Sequence, residues 1–129
     1  MNDLTPHELW SWLIPGYLFT VAVETPVLLV GLSPPHSWWR RIVAGVWLNA
    51  CSYPIVVIAM PALLGLERRS RYLLVAETFA PMVECTLFAL AFHIAAMKPT
   101  DRRRDLIVIT LANLASFLLG ELGYYLRWF

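Results

Sequence analysis

Residues 72–97 read YLLVAETFAPMVECTLFALAFHIAAM, and this stretch decides the fold. It exceeds the ~20 apolar residues a helix needs to cross about 30 Å of hydrocarbon, and it contains no lysine or arginine. It nevertheless holds two acids, Glu77 and Glu84, whose spacing of seven puts them on one helical face. Working outward, residues 9–32, 42–65 and 106–126 form three more runs of the same character, joined by short links that hold nearly all the charge.

The whole-chain composition agrees with this reading. Of 129 residues, 59% are hydrophobic and 15% charged, where an ordinary soluble domain has roughly 45–50% and 25%. Four spans of about 20 residues occupy about 80 positions, which leaves too little for a separate catalytic domain of at least about 50 residues. The expected fold is therefore all-α: a polytopic membrane protein with a single membrane domain, 1–129, whose four transmembrane helices form an antiparallel bundle. Any chemistry has to lie within the bilayer or at its surface.

The links refine the picture. The net charge of +1 makes no field that would attract nucleic acid. Thr5-Pro6-His7-Glu8 reads as a capping box with proline at the first helical position. Pro15-Gly16 is expected to interrupt the first run and set a short interfacial helix with Trp10 and Trp12 before the first true span. The start MNDLTPHE lacks the basic opening of a secretory signal, so the first span is expected to be retained. Trp38 and Trp39 beside Arg40 and Arg41, and Tyr124, Tyr125 and Trp128 beside Arg127, suit headgroup-level anchors. Links one and three carry Arg40, Arg41, Lys98, Arg102, Arg103 and Arg104, against Arg68, Arg69, Arg71 and Arg127 on the other side. Positive-inside counting then puts both termini outside the cytoplasm.

Four glutamates lie inside the apolar runs: Glu24, Glu77, Glu84 and Glu121, with all ten basic residues outside them. An ionised group at the bilayer centre costs at least about 2.5–3.5 kcal/mol, so four bare anions are excluded. The acids must be protonated, meet a cation, or pair with arginines reaching in from the ends. Glu24 and Glu84 fall near mid-span, and antiparallel threading brings Asn49 and Asn113 to a similar level. Asn49 shares a face with Ser52, and Asn113 shares one with Thr110, Ser116 and Gly120. Glu24, Glu84, Asn49, Asn113, Ser52 and Ser116 thus form the expected proton- or cation-binding layer, with Glu77 and Glu121 as a secondary polar layer within reach of Arg68, Arg71 or Arg127. Pro26, Pro54, Pro61 and Pro81 each free a backbone carbonyl inside a span, as in transporters that build ion sites near the midplane.

The polar residues also repeat. Val23-Glu24 matches Val83-Glu84 at an offset of 60, and Asn49-Ala50-Cys51-Ser52-Tyr53 matches Asn113-Leu114-Ala115-Ser116-Phe117 at 64. Two duplicated helical hairpins would give this pattern, with a pseudo-two-fold axis along the membrane normal. The same residues, Asn49 to Pro54, Glu77 with Glu84, and Asn113 to Phe117, resemble small bacterial four-span membrane proteins of unassigned function. That resemblance implies a bacterial inner-membrane setting and brings no activity. The glutamate in the first helix is similar to that of small multidrug-resistance carriers, from which the Arg-rich links and the second deep glutamate depart.

Lone His93, juxtamembrane His7 and His36, and scattered methionines offer no metal or haem spacing, so neither metal nor cofactor is expected. No Ser/His/Asp set stands at a readable spacing, and no nucleophile elbow or phosphate loop is present. Cys51 and Cys85 form no paired motif. The first functional expectation is a proton- or cation-coupled permease or channel-like bundle, acting as a homo-oligomer. The second is a non-catalytic subunit or assembly factor whose polar layer meets a partner's helices, and an intramembrane acid/base enzyme stands well behind both.

Overall fold

The computed structural model describes residues 6–56, 69–92 and 96–126. These form four helices: α1 Pro6–Gly31, α2 Trp38–Pro54, α3 Arg69–Ala91 and α4 Pro99–Tyr125, with no strand among the described residues. Within α1, α3 and α4 the stretches Leu13–Gly31, Leu73–Ala91 and Pro99–Gly123 are each long and apolar enough to cross a membrane. The second half of the expected span 42–65 lies outside the described residues.

Two boundaries differ from expectation. α1 runs unbroken through Pro15 and Pro26, so Pro15-Gly16 does not divide an interfacial helix from the span. A proline removes one backbone bond, and a helix with no competing solvent tolerates that loss. α4 begins at Pro99, and Asp101 to Asp105 occupy its first turns. Proline suits a helix start because its missing N–H would have no partner there. Ser37 caps α2 conventionally, its hydroxyl accepting from the Arg40 N–H at 3.2 Å.

Each helix packs against two neighbours: α1 on α2 and α4, and α3 on α2 and α4. Small residues permit the approaches. A Cβ on Gly45 would lie 2.2 Å from Thr25 Oγ1 and 3.2 Å from the Thr25 Cα, and one on Gly16 would overlap the Tyr53 hydroxyl. The apolar core gathers toward one end, where Leu28 and Leu32 of the α1 end, Ala44 and Leu48 of α2, Phe88 of α3, and Ile109 and Ala112 of α4 are buried together. The outer faces carry exposed Leu18, Val30, Leu74, Leu90, Leu111 and Leu118, as expected where hydrocarbon is the solvent.

Gly45→Ala is expected to lower unfolding stability in detergent by about 1–3 kcal/mol, because the Thr25 backbone cannot retreat as a flexible side-chain tip can. Gly120→Ala, whose nearest neighbour would be Phe19 at 4.0 Å, should leave stability unchanged or raise it by up to ~1 kcal/mol. Denaturant titration of both variants measures the difference.

Candidate functional site

Near mid-helix, α1 and α3 each bury a glutamate, Glu24 at 1% and Glu84 at 2% exposure. Burial there requires hydrogen-bond donors, because an unpaired carboxyl away from water loses its solvation without compensation. Both adjacent helices supply them. The Asn49 amide of α2 donates to Glu24 Oε2 at 3.0 Å, and the Ser116 hydroxyl of α4 contacts Glu24 Oε1 at 2.6 Å. On the other glutamate the helices exchange roles: the Ser52 hydroxyl of α2 donates to Glu84 Oε2 at 2.9 Å, and Asn113 of α4 is a further side-chain hydrogen-bond partner. Every one of the six residues in the expected binding layer therefore meets another member of it.

The asparagines are held alike. Asn49 spends its second amide hydrogen on the Gly45 carbonyl at 2.8 Å, and Asn113 donates to the Ile109 carbonyl at 3.0 Å, each four residues back on its own helix. An amide has two hydrogens, so one fixes the side chain to its helix and the other points at a carboxyl. Gly45 and Ile109 stand at the same offset of 64 that relates Asn49 to Asn113. Glu24 with Leu28 and Glu84 with Phe88 are also buried in the same rhythm, at offset 60.

These groups border one cavity of about 110 Å³, together with Thr20, Tyr53, Val56, Glu77, Ala80 and Phe117. Glu77, half-buried, joins the deep pair and gives the cavity three carboxyls and, among the described residues, no lysine, arginine or histidine in its lining. Glu121 is also half-buried and is not part of the lining. Of the arginines expected to reach these two acids, Arg68 and Arg127 lie outside the described residues, and the Arg71 side chain is likewise not described. Among the described residues, no three His, Cys, Asp or Glu side chains converge closely enough to hold a metal ion. The glutamates border a space without closing on one point.

Ser116 shows what the layer can do chemically. Its Oγ lies 2.6 Å from Glu24 Oε1 and 3.0 Å from the Asn113 carbonyl, two acceptors for a single hydroxyl proton. When Glu24 is ionised, the two compete for that proton. When Glu24 carries a proton on Oε1, the carboxyl O–H donates to Ser116 Oγ and Ser116 donates onward to Asn113, satisfying both contacts. The site thus accommodates either protonation state without moving a helix.

A second polar cluster was not anticipated. Asp105, fully buried at 0% exposure, accepts from the Ser33 N–H at 2.8 Å, the Ser33 hydroxyl at 3.0 Å and His36 Nε2 at 2.7 Å. Residues 69 to 72 positions apart in sequence meet here, which no local spacing could reveal. The order of contacts is not that of a nucleophile activated through histidine, since Ser33 and His36 both bind the carboxylate. Arg41 donates to the carbonyls of Leu29 in α1 and of Ser33 and His36 in the link at 2.6, 2.9 and 3.0 Å, and Arg104 donates to the Gly31 carbonyl at 2.7 Å. These cations satisfy orphan carbonyls at the C-terminal end of α1.

Comparison with family models, curated proteins and solved structures finds no match to the chain, so the chemistry of the site rests on its own geometry. A double-mutant cycle between Glu24→Leu and Ser116→Ala should yield a coupling of about 0.6–1.7 kcal/mol, the range for hydrogen bonds within membranes. A cycle between Glu24→Leu and Trp38→Ala, at the distant start of α2, should be additive. Reversible unfolding in mixed micelles measures both.

Proposed function

We propose that this chain is a small multi-pass protein of the bacterial inner membrane that moves protons, or a small cation coupled to them, through a permease or channel-like bundle. In this reading, four spans run antiparallel as two related hairpins, and Glu24 and Glu84 are the groups that load and release. Asn49, Asn113, Ser52 and Ser116 orient them, while Glu77 extends the acidic path from Glu84 along α3. The arginine count favours both termini on the non-cytoplasmic side. A homo-oligomer would supply the length of pathway that one small bundle lacks.

The observation that carries this reading is the shared cavity bordered by three carboxyls and, among the described residues, by no base. Structural glue alone would be served by glutamine, which bridges helices without an ionisable group. A group that must shed and regain a proton needs neighbours that accept both states, and Ser116 beside Glu24 meets that requirement. Among the described residues no three His, Cys, Asp or Glu ligands converge, which favours proton exchange or a weakly held monovalent ion over a tightly bound metal.

The test is flux through purified protein in sealed vesicles under an imposed proton or potassium gradient, read with an internal pH dye. Glu24→Gln and Glu84→Gln are each expected to reduce flux by about tenfold or more, the effect of losing a hydrogen bond to a charged group. Ser116→Ala should reduce it less and shift its pH dependence. Unchanged flux in both glutamine variants would remove the two acids from the mechanism. A stable stoichiometric partner retained through mild-detergent purification, with no flux from the isolated chain, would favour the subunit reading instead.

A further inference from the structure

Among the described residues, the lining of the cavity extends from the glutamate layer in one direction. Thr20 precedes Glu24 on α1, Tyr53 on α2 and Val56 just beyond it follow Asn49, Glu77 precedes Glu84 on α3, and Phe117 follows Asn113 on α4. All lie toward the end where Gly16 meets Tyr53 and Gly120 faces Phe19. In the opposite direction the same helices present Leu28, Leu32, Leu48 and Phe88, each 2% exposed or less and packed into one apolar cluster. Beyond that plug stands the Asp105 cluster, eight or nine residues from the layer along α1 and α4, or roughly 12–14 Å at 1.5 Å per residue.

That cluster ties all four helices at one place. Asp105 and Arg104 of α4 hold Ser33, His36 and Gly31 at the α1 end, and Arg41 of α2 holds Leu29, Ser33 and His36. α3 joins through aromatic contacts: His36 lies edge-on to Phe88 and Phe92, with centroids 5.1 and 6.0 Å away, and Arg40 of α2 covers Phe92 at 5.0 Å. Phe88 is common to the plug and the cluster, standing one turn from Glu84 on one side and against His36 on the other. Moving His36 therefore removes support from the residue that seals the cavity beside Glu84.

The two halves of the chain are used alike at the glutamate layer and differently here. At offset 64, Asp105 corresponds to Arg41. Both turn onto the same link, 32–37, one by accepting from it and the other by donating to it. A buried carboxylate takes three contacts from the link, and a guanidinium donates to two of its carbonyls and to Leu29 just before it. They hold it in one position by contacts that break together.

We propose that the link 32–37, clamped on Asp105 and seated on Phe88, is a gate that closes the cavity on its second side, so that access to Glu24 and Glu84 from that side requires the clamp to open. The proposal rests on the transport reading of the cavity and assigns its closed side: the arginine-rich ends of α2 and α4.

Thiol accessibility tests it without reference to flux. In a Cys51→Ala, Cys85→Ala background, Thr20→Cys reports on the open half of the cavity and Leu28→Cys on the plug, with a membrane-impermeant maleimide applied to either face of sealed vesicles. With the clamp intact, Thr20→Cys should react from one face only and Leu28→Cys from neither. Adding Asp105→Asn should raise the labelling rate of Leu28→Cys by about tenfold or more, and only from the face that does not label Thr20→Cys. Ser33→Ala removes one side-chain contact with little risk to folding and should give a smaller rise on that same face. Equal labelling of Leu28→Cys with and without the clamp, in protein that elutes as one species, overturns the gate, as does labelling of Thr20→Cys from both faces. If glutamine at positions 24 and 84 leaves flux untouched while the labelling pattern holds, the transport reading fails and the one-sided closure stands.

Discussion

A carboxyl group in hydrocarbon has no water to solvate it, and the arrangement of this molecule follows from meeting that demand twice. Glu24 and Glu84 each take hydrogen-bond partners from both neighbouring helices, an asparagine from one and a serine from the other. One acid therefore joins α1 to α2 and α4, and the other joins α3 to the same pair. Each such bond contributes little in a membrane, below about 2 kcal/mol. Their effect is to set register: sliding any helix by one turn would separate a glutamate from its donors and leave it unsatisfied.

The interior is polarised along the helix axes. On one side of the glutamate layer a carboxyl-lined cavity reaches Tyr53, Glu77 and Phe117, and on the other an apolar plug is backed by the Asp105 cluster. The plug keeps the far ends of the glutamates dry, which strengthens their bonds to Asn49, Ser52 and Ser116. The cavity leaves open space beside them on the other side.

Backbone chemistry explains why this end of the bundle uses arginine. α1 ends at Gly31 with carbonyls lacking helical partners, and the link that follows contains Pro34 and Pro35, which offer no N–H. Arg41 and Arg104 supply donors to Leu29, Gly31 and His36, and Arg41 adds a second donor to the Ser33 carbonyl, which already accepts from the His36 backbone N–H. Part of the charge that positive-inside counting assigns to topology is thus also committed to capping one helix end.

The sequence by itself determined the all-helical, membrane-compatible class, because a long apolar run without lysine or arginine can satisfy its backbone in hydrocarbon only as a helix. It also singled out the glutamates, asparagines and serines, since an acid amid apolar residues is conspicuous in any order of reading. The unbroken α1 was missed because proline statistics from water overstate its breaking power in a helix with no competing solvent. Tertiary structure alone decided which donor meets which acid, that Glu77 shares the deep pair's cavity while Glu121 is not among its lining residues, and that Ser33, His36 and Asp105 form one cluster. Those pairings join residues tens of positions apart, and their energy depends on interhelical distance and direction, quantities that periodicity along a single helix does not contain.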